Sequence, residues 1–181
     1  EISYSGCAQS KAGRALIRSI ENCTGRIGLI KRASDYDKEI LRSGKNFWEV
    51  IVNRYHLDLD IVSGDFDCIP SEGPLVVVSN HPYGILDGLM LGYILSQKRK
   101  DFRILAHQVF KKSGDLNEVI LPISFDETKE SAKQNIATRS VALQHLKEGG
   151  CIGIFPGGTV STAVKPFGKP MDPSWRRFTA K

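Results

Sequence analysis

A chain of 181 residues with 41% hydrophobic and 25% charged side chains is long enough for a domain with a real core, which excludes wholesale disorder. Its longest apolar run, Ile85 to Leu95, contains Asp87 and falls short of the ~20 residues that a membrane-spanning helix needs. The net charge of +5 permits an anionic partner without naming it. In chain order, the first predicted elements are helical. Ala15, Leu16, Ile20, Cys23, Ile27 and Ile30 recur at three- to four-residue spacing, with a break near Thr24-Gly25. A second helical stretch runs from about Asp37 through "NFWEVIVNRY", divided at Gly44. "LDLDIVSG" then alternates apolar and polar residues at Leu57, Leu59 and Ile61, which predicts a half-buried strand.

After Pro70 and Gly73 the pattern changes. "PLVVVSN" is a continuous β-branched run and predicts a strand buried on both faces, as do "FRILAH", "VILPISF" and "CIGIFP". Helices are predicted between them, one from Gly84 to about Leu95 and one from about Thr128 to Lys147. The longer helix has Ala132, Ile136, Val141, Leu143 and Leu146 as its apolar face and stops at Gly149-Gly150. Strands alternating with helices predict an α/β fold: a mostly parallel central sheet flanked by helices, with a helical N-terminal section. Residues 1–45 form that helical, membrane-proximal section and residues 46–181 the α/β domain.

Charge is uneven along the chain. Lys11, Arg14, Arg18, Arg26, Lys31 and Arg32 face only Glu21, and Lys165, Lys169, Arg176, Arg177 and Lys181 face only Asp172. Basic ends suit an anionic membrane surface or are simply a solvated face. They are not interleaved with aromatic residues, so no nucleic-acid partner is expected. Cys7, Cys23, Cys68 and Cys151 show no C-x-x-C spacing, which argues against zinc. Cys151 reads as a small buried hydrophobe. With no export signal, reduced thiols and a cytoplasmic setting are expected.

Parallel α/β sheets place their sites at the carboxyl ends of the strands. Two such ends stand out. His81 follows a strand directly, and Asp87 falls in the first turns of the next helix. Six helical positions rotate about 240°, so the two meet only if His81 lies off the helix and the chain folds back through Pro82 and Gly84. The pair then forms a dyad in which the carboxylate sets the imidazole tautomer and His81 takes a proton from a hydroxyl. The alternative is that His81 closes a turn and Asp87 is an ordinary first-turn acid. The second end, Phe155-Pro156-Gly157-Gly158-Thr159-Val160-Ser161, is either a plain tight turn or a nest of N–H groups for an anion. It lacks the Lys of a phosphate-binding loop, and no G-x-S-x-G nucleophile motif occurs.

Together, a histidine–aspartate element after one strand and F-P-x-G-T-x-S after another resemble the glycerolipid acyltransferase family, which moves fatty acyl groups from thioesters to lysolipids or glycerol phosphate. The resemblance covers the chain from about Phe47 onward. Five residues separate His81 from Asp87 in "NHPYGILDG", against four in the usual motif. That form is similar to the branch of lyso-ornithine lipid acyltransferases and haemolysin-annotated relatives. The resemblance implies His81 as general base and Asp87 as its orienting partner. It implies substrate binding at Phe155, Pro156, Gly157, Gly158, Thr159 and Ser161, which match the motif F-P-E-G-T-R-S. Gly157 replaces the family glutamate. Val160 replaces an arginine used on the acceptor phosphate, and Asp126 and Glu127 stand where a second arginine belongs.

No metal or cofactor is implied. The donor is an acyl carrier protein or coenzyme A thioester, and the acceptor a lysolipid such as lyso-ornithine lipid or lysophosphatidic acid. The expected place is the inner face of the cell membrane, bound peripherally to its anionic surface. The family's fourth motif has no match and is expected beyond Lys181, which makes the C-terminal end of the domain incomplete. The competing expectation is a lipid-binding protein of the same fold with little or no turnover.

Overall fold

The computed structural model describes residues 8, 10–32, 34–107, 116–126, 128–163, 165 and 168–175. Cys7, Glu127, Arg176, Arg177 and Lys181 lie outside them. The chain divides into two compact units, Glu1–Asp58 and Leu59–Lys181.

The first unit is helical. Helix α1 (Lys11–Cys23) starts where the Ser10 hydroxyl accepts the Gly13 N–H at 3.0 Å, and α2 (Arg26–Arg32) follows the break at Thr24-Gly25. No residue of α1 or α2 is buried, and Leu16, Ile20, Ile27 and Ile30 are exposed. Helix α3 (Tyr36–Ser43) ends at Gly44, and α4 (Phe47–Arg54) opens with a reciprocal cap between Asn46 and Glu49. Trp48, Val50, Ile51 and Val52 are buried. Arg54 closes the unit by donating to the Glu39 carboxylate at 2.6 Å and to the carbonyls of Arg32, Ser34 and Asp35.

The second unit is a four-stranded parallel sheet in the order β1-β4-β2-β3, with β1 Leu75–Val78, β2 Phe102–His107, β3 Ile120–Ile123 and β4 Cys151–Ile154. Helix α5 (Ile85–Ser96) connects β1 to β2, and α6 (Lys129–Lys147) connects β3 to β4. Gly153 lets α5 lie close on the sheet, because a Cβ there would meet Leu91, Leu95 and Ile104 at 3.0–3.4 Å. Leu105, Leu121, Ala142, Ile152 and Ile154 form a core against which Ile123 and Leu146 pack. Cys151 is fully buried, and burial pushes its thiol pKa up.

Three sequence expectations are corrected. The "LDLDIVSG" stretch is not a strand; it has no ladder partner among the described residues, and Leu59, Ile61 and Val62 are exposed. Alternation alone supplies no hydrogen bonds. Strand β1, at an edge of the sheet, is not buried on both faces: Val76 and Val78, which share one face, are 50% and 47% exposed. The inward face of α6 is also largely polar: Ser131 and Thr138 are buried with Ala142, whereas Ile136 is 68% exposed and Val141 and Leu143 are exposed. This helix covers the end of edge strand β3, whose backbone groups need partners. Thr138 donates to the Pro122 carbonyl at 2.7 Å, and the Asn135 amide takes the Ser124 N–H at 2.9 Å and donates to its carbonyl at 2.8 Å.

Candidate active site

The two motifs are 74 positions apart in the chain and adjacent in space. The reason is topological. Strands β1 and β4 are neighbours in register, with Val78 beside Ile154, so the chain leaves both at the same place on the carboxyl edge. The Ser79 N–H donates to the Ile154 carbonyl at 3.1 Å and extends that register to the site. The rings of His81 and Phe155 then stack with centroids 4.2 Å apart.

His81 and Asp87 meet as the fold-back requires. Gly84 caps α5 with φ +64°, a conformation that an L side chain rarely adopts, and reverses the chain between the two. His81 Nδ1 lies 3.0 Å from Asp87 Oδ2, and the same oxygen accepts the Tyr83 N–H at 2.7 Å. A carboxylate only accepts, so Nδ1 carries the proton and Nε2 presents its lone pair. Among the described residues Nε2 has no protein partner, and no buried side-chain nitrogen or oxygen is left unpaired, so Nε2 reaches solvent. The His81 side chain is 20% exposed. The arrangement holds one imidazole nitrogen and offers the other to a proton donor.

The second turn sits directly beside this imidazole. Pro156, Gly157 and Ser161 are buried, Phe155 and Gly158 half-buried, and Thr159 exposed. The Ser161 N–H donates to the His81 carbonyl at 2.8 Å, joining the motifs through their main chains. The two glycines differ in what they offer. The Gly158 N–H closes the turn onto the Phe155 carbonyl at 3.0 Å, so it is not presented to an incoming anion. The Gly157 N–H has no partner among the described residues. A Cβ at Gly157 would lie 3.1 and 3.2 Å from the Pro173 ring, so Pro173 occupies the space where a longer residue would start. Val160 is exposed and borders Gly84, whose Cβ would lie 3.6 Å from it.

Asp126 is at the far end of the same edge. Strand β3 is three strands from β1, about 14 Å at the usual strand spacing. Its carboxylate accepts the Ser124 hydroxyl at 3.1 Å, and that hydroxyl also contacts Ser131 at 3.0 Å. Between the two sites, at the end of β2, His107 stacks on Phe125 with centroids 5.9 Å apart. No cluster of three metal-ligating side chains occurs among the described residues.

One residue of this neighbourhood has no signal in the sequence motifs. Asp172 accepts the His81 N–H at 3.1 Å and the Ser161 hydroxyl, 91 and 11 positions away. A search for histidines and acids at short spacing does not find it, because the contact runs through backbone and a distant strap.

The family model described as Acyltransferase matches residues 62–177, more than half of the chain and all of the residues just described. No curated protein and no solved structure matches the chain.

Proposed function

Because the chain belongs to the glycerolipid acyltransferase family, we propose that it transfers a fatty acyl group from a thioester to the hydroxyl of a lysolipid, with His81 as the base. The observation that carries this reading is the His81 imidazole, tied to Asp87 through Nδ1 and open at Nε2 beside the Phe155–Ser161 turn. His81 Nε2 takes the acceptor hydroxyl proton as the oxygen attacks the thioester carbonyl. The oxyanion is assigned to the Gly157 N–H, which has no partner among the described residues. When the tetrahedral species collapses, the carbon–sulfur bond breaks and the imidazolium returns its proton to the departing thiolate. A positioned acid–base group contributes about 10²–10⁴-fold and one oxyanion donor about 10²–10³-fold. The donor is an acyl carrier protein or coenzyme A thioester.

The acceptor is a lysolipid recognised without an arginine-held phosphate. Val160 replaces one family arginine, and Asp126 and Glu127 stand in place of another. Losing a charged hydrogen-bonding partner at a phosphate costs about 1.5–3 kcal/mol per bond. An acidic pair in the sequence suits an amine-bearing head group better than a phosphate, and lyso-ornithine lipid fits that description and the five-residue His81–Asp87 spacing. Analysis of products from a panel of lysolipids, with both donors and with His81→Ala as control, tests the assignment. Lyso-ornithine lipid is expected to exceed lysophosphatidic acid, and the reverse order overturns the acceptor. Retained lysolipid binding without turnover on any acceptor would favour a lipid-binding protein of this fold.

The same reading places the protein peripherally on the inner face of the cell membrane. No helix among the described residues is long and apolar enough to cross a bilayer. The exposed apolar side chains of α1 and α2, flanked by six basic residues against Glu21, support docking on an anionic surface. Each Lys or Arg near such a surface is worth about 1 kcal/mol and acts within ~8–10 Å. In liposome co-sedimentation, binding should rise with anionic lipid and fall with salt. It should drop when Arg14, Arg18 and Arg26 become Glu; binding indifferent to salt and to these changes would place the contact elsewhere.

A further inference from the structure

His81 is held by more than its side chain. Its carbonyl accepts the Ser161 N–H at 2.8 Å, and its own N–H donates to Asp172 Oδ1 at 3.1 Å. The same carboxylate oxygen accepts the Ser161 hydroxyl. Asp172 therefore bridges the turn after β1 and the turn after β4. Its own position is fixed from both sides. Thr162 and Met171 exchange two backbone hydrogen bonds of 3.1 Å, and Pro173 packs over Gly157.

We propose that Asp172 is a positioning residue for the His81 base, acting on the His81 backbone and not on the substrate. The proposal rests on the acyl-transfer reading of this site. With both its main-chain polar groups held, His81 has one backbone setting, and in that setting Nδ1 falls on Asp87 and Nε2 faces outward. Removing the Asp172 acceptor frees the His81 N–H and the Ser161 hydroxyl together, and the imidazole loses its fixed approach. Displacements of about 1 Å at a reacting group cost on the order of 10²-fold in rate. Both bonds end on one oxygen, so an amide oxygen in the same place can accept them. A carboxylate one methylene further out cannot.

The test compares Asp172→Asn, Asp172→Glu and Asp172→Ala in the full chain. Turnover is followed with palmitoyl-coenzyme A and lyso-ornithine lipid. The downfield proton resonance of the His81 Nδ1–H, identified by its loss in His81→Ala, is recorded alongside. Asn should keep kcat within about threefold and retain the resonance, while Glu and Ala lower kcat by about 10–100-fold with little change in donor KM and shift or broaden the resonance. If Ala does not fold, the order of Asn over Glu decides. Glu equal to or better than Asn would show that charge matters rather than acceptor position, and would overturn the proposal. A resonance unchanged in all three variants would also overturn it. Absence of turnover in the unmodified chain would count against the acyl-transfer reading alone, because the resonance still reports whether Asp172 sets the imidazole.

Discussion

The two edges of the parallel sheet are both held by a charged side chain that reaches across loops, yet they are built to opposite ends. At the amino edge, Arg99 is 2% exposed and spends its guanidinium on protein. It donates to the carbonyls of Pro70, Gly73 and Gly149 at 3.1, 2.9 and 2.8 Å and forks onto the Asp101 carboxylate at 2.7 and 2.8 Å. Those carbonyls precede β1 and β4, and Arg99 itself precedes β2, so one side chain gathers three strand entries. At the carboxyl edge, Asp87 and Asp172 do the gathering, and the residue they hold keeps one nitrogen open to solvent. A closed network only stabilises; a network with one open position leaves a group free for the acid–base role proposed for His81. The same fold supplies both because every strand runs the same way, so its entries and its exits collect on opposite sides.

Substitutions should separate the two edges. His81→Ala should lower turnover by about 10²–10⁴-fold while costing only about 1–2 kcal/mol of stability, since His81 sits in a turn outside the buried core of the sheet. Steady-state kinetics beside urea unfolding gives both numbers; a loss of activity that merely follows the folded fraction would make His81 structural. Arg99→Ala should do the reverse. It strands three loop carbonyls and a paired carboxylate and should cost about 3 kcal/mol in unfolding free energy, with activity per folded molecule unchanged. An Arg99→Ala protein as stable as the original would remove the contrast.

Smaller effects refine it. Gly157→Glu restores the family residue but drives a side chain against Pro173, so it should destabilise by about 1–3 kcal/mol, read as a lower urea midpoint, and should not raise activity on lysophosphatidic acid. A stable, more active Gly157→Glu protein would mean that the strap at Pro173 yields. The smallest effect is a pH dependence at the amino edge. The hydrogen bond from Arg99 holds the Asp101 carboxyl below its usual range. A depressed folded-state pKa contributes stability that is present above the ordinary Asp value of about 3.9 and is lost as pH falls through the folded value. Unfolding midpoints should therefore decline below about pH 4, and Asp101→Asn should flatten that part of the decline. Asp101 is partly exposed, so solvent screening keeps the effect small.

Much of this architecture was legible in the order of residues. The breaks at Thr24-Gly25 and Gly44, the runs that became β1 to β4 and the two long helices follow from local rules: period, caps and glycine stops. That His81 could meet Asp87 was legible too, because Pro82 and Gly84 allow the chain to fold back between them. Three things were decided only by tertiary structure. Whether an alternating segment becomes a strand depends on a neighbour to pair with, which "LDLDIVSG" lacks among the described residues. Which face of α6 turns inward depends on the unpaired groups of edge strand β3, and they draw in Ser131, Asn135 and Thr138 rather than Ile136 and Leu143. Asp172 reaches His81 only because β1 and β4 are neighbours and the 171–173 strap returns over their ends. Period and propensity act over a few residues and are written into the chain locally; hydrogen-bond satisfaction is an account kept across the whole fold, and it closes only when strand order is known.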